Sequence, residues 1–343
     1  MNLKQLSQKL GLSQTTVSRA LNGYPEVSEA TRKLVQSAAK QHNYSPSVSA
    51  KSLATGKAHA IGHVLPISSR QEMVNPIFGD FIAGAGETYA KHGYQMVLSI
   101  VNDADEEKIY RDLKARRQVD GVIVHAPLMD DPRITLLTEI ELPFAVHGRA
   151  TVTNAPYSWL DVNNRRAFQR ATEFLIQLGH RRIALVNGLE YLDFADRRRK
   201  GFLDAMQHAG LTVPPSHMTT GEMTEVFGYT SVRAMLSATE PPTAILCSSL
   251  ISALGVRRAI EERGLVMGRD VSVITHDDVL SYLQNGDDVP IFTATRSSVR
   301  DAGRRLAEIL LATIANPDAP PIQQLLEAEL MIGQSTGPAP REE

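Results

Sequence analysis

Short apolar runs alternate with helical stretches over almost the whole chain after residue 58. The first of these runs are "AIGHVLP" (60–66), "QMVLSIV" (95–101), "DGVIVHAP" (120–127) and "PFAVHGR" (143–149). Helical stretches lie between them, for example at 76–92 and 105–117. Short runs that are apolar throughout are typical of parallel strands buried on both faces. Their alternation with helices predicts a doubly wound α/β fold.

A second series of the same kind follows and predicts a second, similar lobe. Its strands are "SWLDVN" (158–163), "RIALVNG" (182–188), "TAILCSS" (243–249) and "DVSVITH" (270–276), with helices near 164–178, 194–209, 225–237 and 250–263. The tail adds "IFTATRSS" (291–298), a helix near 299–315 and "LLEAELMIG" (325–333). Doubly wound sheets bind ligands outside the carboxyl ends of their strands. A ligand cleft is therefore expected between the two lobes.

The overall composition limits the classes of protein to which the chain can belong. Its 343 residues exceed one comfortable hydrophobic core, so two or three domains are expected. No apolar run approaches the roughly 20 residues that span a bilayer, and the start lacks an apolar signal segment. The single cysteine, Cys247, cannot form an internal disulfide, which fits a reducing cytoplasm. We expect a cytoplasmic protein with no membrane partner.

The charge is unevenly distributed along the chain. Residues 1–57 contain eight Lys or Arg and two Glu, a formal charge of +6. Because the whole chain carries −2, the remainder carries −8. A basic segment ahead of an acidic body is what a domain that binds a polyanion should look like. Scattered surface lysines are the alternative explanation.

The basic segment contains three predicted helices. Leu3, Leu6 and Leu10 recur at helical spacing before Gly11 ends the first helix. Ser13 is a natural N-cap for a second helix, in which Val17 and Leu21 share one face. Ser28 would cap a third helix that turns Ala30, Leu34 and Ala38 inward. Two helices joined by a turn that contains glycine match the helix-turn-helix unit.

The second helix has an outward face suited to DNA. With Val17 and Leu21 in the core, its polar side chains point outward: Gln14, Thr15, Ser18 and Arg19. Amide and guanidinium groups can hydrogen-bond base edges bidentately, and the Thr15 methyl can contact a thymine methyl. Ser13 and Thr16 are short enough for a phosphate to reach the helix N-terminus. A well-capped, solvated surface helix remains the alternative interpretation.

The stretch "LSQKLGLSQTTVSRALNGYPEVSEATRKLVQSAAKQHNYSPSVSAKSL" resembles the head of the lactose/galactose repressor (LacI/GalR) family of bacterial transcription regulators. The similarity extends along nearly the whole chain. It implies that Gln14, Thr15 and Arg19 read bases in the major groove. It also implies that residues 45–57 become a short hinge helix on operator DNA, where Leu53 wedges into the minor groove at the dimer centre. Packing in a core is the alternative role for Leu53.

The resemblance implies a helix-turn-helix head (1–44), the hinge (45–57) and a periplasmic-binding-protein-like body (58–343) of two doubly wound parallel-sheet lobes. It implies that the chain crosses three times between the lobes. The N-lobe would take about 60–158 and 291–316, and the C-lobe about 159–290 and 317–336. The polar end "GPAPREE" lacks leucine heptads, so no tetramer-forming coiled coil is expected.

Candidate effector-binding residues come from the resemblance and from the strand ends. The resemblance implies that Asp277 and Arg198 hold the effector and that Ile77 and Phe78 form an apolar wall. An interlobe salt bridge between Asp277 and Arg198 is the alternative. Strand ends, together with the sole tryptophan and a serine at a position where many relatives have Asn, add five candidates: His147, Arg149, Trp159, Asn163 and Ser249.

No catalytic or metal-binding motif is found, and neither a cofactor nor a metal is expected. The chain lacks a G-x-x-x-x-G-K-[ST] phosphate loop, an H-E-x-x-H pair and a G-x-S-x-G elbow. The sequence thus predicts a homodimeric, ligand-controlled regulator, more readily a repressor than an activator, that binds near-palindromic operator DNA and a small molecule, best a sugar or glycoside. A purine or another metabolite is the second choice of ligand. A periplasmic-type solute-binding protein and a sugar-active α/β enzyme are the alternatives.

Overall fold

The computed structural model describes residues 1–44, 56–66 and 75–341. Leu53 and most of the predicted hinge at 45–57 lie outside these residues, so both stay predictions. In the described part of the chain, no helix combines the length and the apolar character needed to cross a membrane.

Residues 1–44 form three helices, α1 (Leu3–Leu10), α2 (Gln14–Leu21) and α3 (Glu29–Gln41). Ser13 and Ser28 cap α2 and α3, because each side-chain oxygen accepts a hydrogen bond from the backbone N–H three residues later. The helices enclose a small core whose buried members are Leu6, Val17, Ala20, Val27, Val35 and Ala39. The three helices and both serine caps are confirmed.

Of the three residues predicted to face inward from α3, Ala38 packs against the head core, but Ala30 and Leu34 do not. Val35 and Ala39 are buried, whereas Leu34 is 53 % exposed and Ala30 also faces solvent. The helix has two adjacent apolar stripes, in each of which the apolar residue recurs every four positions: Ala30, Leu34 and Ala38 form one, and Val35 and Ala39 form the other. Helical spacing alone does not show which stripe faces the core. Contact with α1 and α2 decides in favour of the stripe that contains Val35.

The body consists of two parallel sheets with helices on both faces. The strands are β1 (Ala60–Pro66), β2 (Gln95–Val101), β3 (Gly121–Val124), β4 (Phe144–His147), β5 (Ser158–Val162), β6 (Ile183–Asn187), β7 (Met218–Thr220), β8 (Ala244–Cys247), β9 (Ser272–Asp277), β10 (Thr293–Arg296), β11 (Gln323–Leu326) and β12 (Glu329–Met331). The helices are α4 (Pro76–Lys91), α5 (Glu106–Ala115), α6 (Pro132–Glu139), α7 (Asn164–Gln177), α8 (Asp193–His208), α9 (Glu225–Met235), α10 (Leu250–Glu261) and α11 (Val299–Ala315). The sequence did not predict α6 or β7, which are short.

Within the described ranges, each lobe has one six-stranded sheet. The N-lobe order is β11-β5-β4-β3-β1-β2, and all its strand pairs are parallel. The C-lobe order is β12-β10-β9-β8-β6-β7, in which only β12 runs antiparallel to its neighbour. In the N-lobe, α4 and α11 cover one face of the sheet, and α5 and α6 cover the other. In the C-lobe, α7 and α8 lie opposite α9 and α10. The doubly wound fold is confirmed.

The chain crosses between the lobes three times, but several segments belong to the other lobe from the one predicted. β5, expected in the C-lobe, pairs with β4 and β11 in the N-lobe. β10, expected in the N-lobe, pairs with β9 and β12 in the C-lobe. The single predicted strand at 325–333 is two strands, one in each lobe. Only long-range pairing assigns a strand to a sheet, and no local pattern carries that information.

Candidate functional site

The outward face of α2 presents three free polar side chains. Gln14, Thr15 and Arg19 are exposed, and none of the three side chains hydrogen-bonds to any other described residue. Val17 and Ala20, on the opposite side of the helix, are fully buried. The helix therefore directs an amide, a methyl-bearing hydroxyl and a guanidinium outward from a rigid base. These are the groups that read base edges in the major groove.

The other predicted DNA-binding residues of the head also serve the helix itself. The Ser13 Oγ accepts from the Thr16 backbone N–H at 3.0 Å and lies 2.9 Å from the Thr16 hydroxyl. Ser18 is half-buried, and its carbonyl accepts from the Asn22 amide at 3.0 Å. A capped N-terminus still leaves backbone N–H groups that favour an anion such as a phosphate.

A cleft between the lobes opens at the carboxyl ends of both sets of strands. Its central compartment has a volume of about 170 Å³, and an adjoining compartment has about 480 Å³. Both compartments are lined by residues of both lobes, among them His125 of the N-lobe and Phe194 of the C-lobe. The larger volume falls within the roughly 300–1,000 Å³ typical of small-molecule sites. The cleft is where a doubly wound fold binds its ligand.

The part of the N-lobe wall formed by α4 and by the ends of β3 and β4 is rich in aromatic rings. Ile77, Phe78 and Phe81 line it from α4, and His125 and His147 line it from the ends of β3 and β4. The Phe81 and His147 rings stack with centroids 4.3 Å apart, and Phe78 meets His125 edge-on at 5.1 Å. Burial lowers the pKa of His147 to about 4 and that of His125 well below its usual value, so both rings are neutral at pH 7.

Arg198 dominates the C-lobe wall. Its Nε donates to the Asn164 Oδ1 at 2.7 Å, and its Nη1 donates to the Ser248 carbonyl at 2.6 Å. The guanidinium lies 5.0 Å from the ring centroids of both Phe168 and Phe194. Burial lowers its pKa to about 10, which still leaves it charged at neutral pH. Arg198 is thus held rigidly, with its charge toward the cleft.

Asp278, rather than the predicted Asp277, lines the cleft. Neighbouring side chains at the end of a strand point to opposite sides, so His276 and Asp278 face the ligand space while Asp277 does not. Asp277 Oδ1 accepts from the Val279 N–H at 2.8 Å, and its other oxygen lies 3.9 Å from Arg296 Nε. Burial raises the pKa of Asp278 to about 7, although Arg198 acts against the rise. This carboxyl can therefore donate or accept a hydrogen bond near neutral pH.

Arg149 lies on the cleft wall, whereas Trp159 lies outside it. The Arg149 Nε donates to Asp161 Oδ2 at 2.8 Å, and its guanidinium lies over the Trp159 ring at 5.0 Å from the centroid. Trp159 packs against the N-lobe core instead of facing ligand space. The ring therefore supports Arg149 from behind, and the predicted stacking on a sugar does not follow from its position.

Asn163 and Ser249 also lie outside the cleft lining. Asn163 caps α7 through the Arg166 N–H, and its amide donates to Glu327 at 2.8 Å. Ser249 is buried and caps α10 through the Ser252 N–H. Both residues follow strands, as predicted, but both are used to begin the next helix.

Several cleft residues were missed from the sequence, namely Phe81, His125, Asp161, Asn164, His276 and Asp278. Phe81 lies one helical turn after Ile77, and the others lie at or just after a strand end. The missed residues other than Phe81 could have been predicted by the rule that ligands bind at strand ends, if the two or three consecutive residues at each strand end had all been considered. Nowhere in the described ranges do three or more His, Cys, Asp or Glu side chains group closely enough to hold a metal ion.

Comparison with known families accounts for both parts of the molecule. Residues 2–47 match the model of bacterial regulatory proteins of the lacI family. Residues 58–329 match the model of periplasmic binding proteins and the sugar binding domain of the LacI family. The protein belongs to the LacI family.

Relatives of this LacI-family protein are named as transcriptional regulators. The HTH-type transcriptional regulator AglR of Rhizobium meliloti (strain 1021) is 46% identical over 99% of this chain and 95% of its own length. The HTH-type transcriptional regulator RafR of Escherichia coli is 32% identical over 93% of this chain and 94% of its own.

Solved structures show the same architecture. The Lac repressor dimer bound to operator and the anti-inducer ONPF has a TM-score of 0.86 at 25% identity and covers 98% of this chain and 99% of that one. A CelR–cellobiose complex has a TM-score of 0.72 at 26% identity, with coverage of 98% and 99%.

Family membership decides between the classes that the sequence left open. The body alone is shared with periplasmic binding proteins, but the head matches a DNA-binding family, and the relatives are named for regulation and not for a reaction. This LacI-family protein is therefore a DNA-binding transcriptional regulator and not an enzyme.

Proposed function

We propose that this regulator is a homodimeric repressor whose operator affinity is controlled by a sugar or glycoside bound between its lobes. The observation that carries the proposal is the outward face of α2, where Gln14, Thr15 and Arg19 are exposed and make no side-chain hydrogen bond to the described residues. Two heads would occupy successive major grooves of a near-palindromic operator. Ser13, Thr16 and Ser18 would lie against the backbone, and Leu53 would enter the minor groove from the hinge at 45–57.

The chemistry of the cleft supports a neutral, hydroxyl-rich effector. Arg198 and Asn164 offer donors and acceptors from one wall, and Asp278 is a carboxyl poised between its two protonation states. Ile77 and Phe78 on the other wall offer apolar surface of the kind on which a sugar ring packs. A relative with the same fold has been solved with cellobiose bound.

Exposed apolar side chains on the body support the homodimer. Leu98 and Ile100 project from β2, an edge strand, and Ile100 is 55 % exposed. An exposed apolar edge strand is a liability unless another chain covers it. On the C-lobe, Val226 and Tyr282 are also more than half exposed. The Lac repressor, which shares the fold, has been solved as a dimer on its operator. Because chromosomal DNA is the proposed target, the protein would act in the cytoplasm.

Operator binding can be tested by fluorescence anisotropy with labelled fragments of the host's DNA and with random duplex of equal length. We expect binding to a specific fragment to be at least about 10³-fold tighter than to random duplex at physiological salt. Arg19→Ala should weaken specific binding by about 1–3 kcal/mol, the value of one bidentate base contact. An equal loss on random duplex would show that Arg19 contacts only phosphate. Equal affinity of the unaltered protein for both duplexes would contradict the proposal.

The effector can be found by a thermal-shift screen of the full chain against mono- and disaccharides, with nucleobases as the comparison set. A ligand that binds only the folded state increases the free energy of unfolding, by about 2.7 kcal/mol at a ligand concentration of 100 times Kd. The melting temperature rises as a result. The proposal expects a sugar to give this shift and to change operator affinity. The sugar assignment is contradicted if only purines raise the melting temperature or if no compound in the screen raises it. The direction of the change in operator affinity distinguishes an inducer from a corepressor.

A further inference from the structure

A line of buried charges crosses from one lobe to the other beside the cleft. Asp161 at the end of β5 belongs to the N-lobe, and its Oδ2 accepts from Arg149 Nε at 2.8 Å and from Arg197 Nη1 at 2.5 Å. Arg197 lies on α8 of the C-lobe. Its Nε lies 2.5 Å from Asp193 Oδ1, an ion pair whose atoms are close but not aligned as a hydrogen bond.

The far end of this line returns to the N-lobe. Asp193 Oδ2 accepts from the Thr151 backbone N–H at 2.8 Å and from the Thr151 hydroxyl at 2.5 Å. Thr151 follows β4 of the N-lobe, whereas Asp193 is the first residue of α8 in the C-lobe. Two contacts therefore join the lobes: Arg197 of the C-lobe binds Asp161 of the N-lobe, and Asp193 of the C-lobe binds Thr151 of the N-lobe.

Backbone contacts reinforce the same seam. The Asp193 N–H donates to the Pro127 carbonyl at 3.0 Å, and Leu192 forms an isolated antiparallel bridge with Leu128. The start of α8 is therefore docked on the N-lobe, although the body of this helix packs on α7 of the C-lobe.

These charges are removed from water. Asp161, Asp193 and Arg197 are 4 %, 0 % and 6 % exposed. Burial opposes the charged form of Arg197, but the carboxylates of Asp161 and Asp193 outweigh it and raise its pKa. Removal of one member of a buried ion pair leaves an uncompensated charge, which drives the partner toward water. Asp193 and Arg197, which are absent from the cleft lining, stay out of water while the lobes are together.

Arg197 differs from its neighbour Arg198 in its surroundings. Arg198 lines the cleft and is held by groups that follow β5 and β8, whereas Arg197 is absent from the cleft lining. Arg197 therefore has no route to direct contact with a ligand there. It reaches the cleft only through Asp161, whose second arginine partner, Arg149, stands on the cleft wall.

We propose that Arg197 is a positioning residue that clamps the two lobes together in the ligand-free protein. Arg197 pairs across the lobes with Asp161 of the N-lobe and within the C-lobe with Asp193, and Asp193 in turn accepts from Thr151 of the N-lobe. The clamp sets the lobe arrangement that a ligand meets, and Arg197 itself is absent from the cleft lining.

Interlobe distances measured by pulsed electron paramagnetic resonance test the clamp directly. Spin labels would be attached to Glu139→Cys on the N-lobe and Gln207→Cys on the C-lobe, both exposed sites at helix ends. Native Cys247 is buried and burial raises the pKa of its thiol to about 12, so it does not react. Dilution of labelled chains with excess unlabelled chains restricts the signal to pairs within one chain.

The Arg197→Gln variant should show a longer and broader interlobe distance than the unaltered protein, without any ligand. Arg197→Lys, which keeps the charge, should restore part of the shorter distance. Asp161→Asn should give the same lengthening as Arg197→Gln, and the double variant should add little to either. The matched control is Arg199→Gln on the same helix, whose ion pair with Glu190 lies within the C-lobe, and it should leave the distance unchanged.

An unchanged distance in Arg197→Gln overturns the clamp. Should that variant fail to fold by circular dichroism, Thr151→Val, which removes only the hydroxyl that donates to Asp193, replaces it. Thr151→Val should also lengthen the distance, and an unchanged distance there overturns the clamp equally.

A second readout rests on the proposed function. The apparent affinity of a ligand that binds only the closed arrangement is proportional to the fraction of chains in that arrangement. If the variant lowers this fraction to roughly one-tenth, the ligand binds about tenfold more weakly. This loss can be measured with the sugar found in the thermal-shift screen. If no sugar binds, the proposed effector fails while the distance measurement still judges the clamp.

Discussion

At the scale of single residues, histidines on the cleft wall and directly behind it are buried where they must stay neutral. His63 Nδ1 lies 2.9 Å from His125 Nε2, and its own Nε2 lies 3.2 Å from the Tyr89 hydroxyl. Burial lowers the pKa of His63 to about 3 and that of His147 to about 4. The folded state therefore excludes protons that the unfolded chain accepts near pH 6.5.

We predict that these histidines make the protein less stable as the pH falls from 6.5 toward 4. In that interval the unfolded state binds more protons than the folded state, and each such histidine lowers the free energy of unfolding by about 1.4 kcal/mol per pH unit. Urea unfolding at pH 7.5, 6.5 and 5.5 measures the slope. His147→Phe should flatten it, because the ring can still stack on Phe81 but no longer titrates.

The raised pKa of Asp278 acts in the opposite sense between pH 3.8 and 7, since its folded state holds a proton that the unfolded state releases. The difference in slope between the unaltered protein and His147→Phe is therefore the quantity to compare. Identical slopes would mean that His147 is solvated and titrates normally.

The adjacent aspartates give a second prediction at this scale. Asp278→Asn should weaken binding of the effector sugar at least about tenfold, because a buried carboxyl that hydrogen-bonds a ligand contributes about 1.5–3 kcal/mol. Asp277→Asn, one residue away and turned from the cleft, should leave sugar binding nearly unchanged. Calorimetric titration of both variants decides. The reverse result would restore the sequence-based choice of Asp277.

At the scale of elements, close helix pairs depend on glycine. A Cβ at Gly303 of α11 would overlap the Phe81 carbonyl of α4, and a Cβ at Gly84 of α4 would overlap the Arg300 carbonyl of α11. The two backbones therefore approach each other through reciprocal glycines. Gly228 and Gly255 make the same arrangement between α9 and α10.

We predict that Gly303→Ala lowers the free energy of unfolding by about 1–3 kcal/mol, as overpacking does, because two helix backbones must separate. Gly79→Ala is the matched control, since Gly79 is an exposed glycine of α4 whose added Cβ meets nothing within 4 Å. It should be neutral or stabilising by up to about 1 kcal/mol. Urea midpoints of the two variants distinguish these outcomes. Equal effects would show that α4 and α11 can adjust to a side chain.

Element type could be predicted from the sequence better than element partners. The Ser13 and Ser28 caps and the long helices of the body depend on neighbouring residues, which the sequence displays. The inward face of α3 depends on which of two stripes meets α1 and α2. The choice between Asp277 and Asp278 depends on which of two consecutive side chains at the end of β9 points into the cleft. Both differ by a single residue, and only tertiary contact fixes them.

At the scale of the whole molecule, the exposed apolar edge of the N-lobe sheet predicts the assembly. Ile100→Lys on β2 should convert the dimer to a monomer, because a charge would be buried at the interface without a partner. Analytical ultracentrifugation measures the change. Ile322→Lys, beside β11 at the opposite edge of the same sheet, is the control and should leave the assembly intact. A dimer that survives Ile100→Lys would show that another surface joins the two chains.

The number of lobes and their fold could be predicted because apolar periodicity repeats along the chain, but the assignment of β5, β10 and the last two strands could not. The cleft as a whole could be placed at strand ends, and Ile77, Phe78, His147, Arg149 and Arg198 do lie there. Trp159, Asn163 and Ser249 do not, because packing and capping use them elsewhere. The local sequence does not show whether a residue after a strand faces the cleft, packs in the core or caps the next helix.

The exchange of segments between the lobes has a consequence for biosynthesis. Within the N-lobe, β1 to β5 leave the ribosome early, yet α11, which covers one face of their sheet together with α4, emerges only after the strands of the other lobe up to β10. The nascent chain must therefore carry an uncovered apolar surface while more than a hundred further residues are made. The N-lobe is begun before the C-lobe but lacks α11 until the C-lobe strands up to β10 have been made, and a premature stop before residue 299 would leave a product that exposes this surface to aggregation and proteolysis.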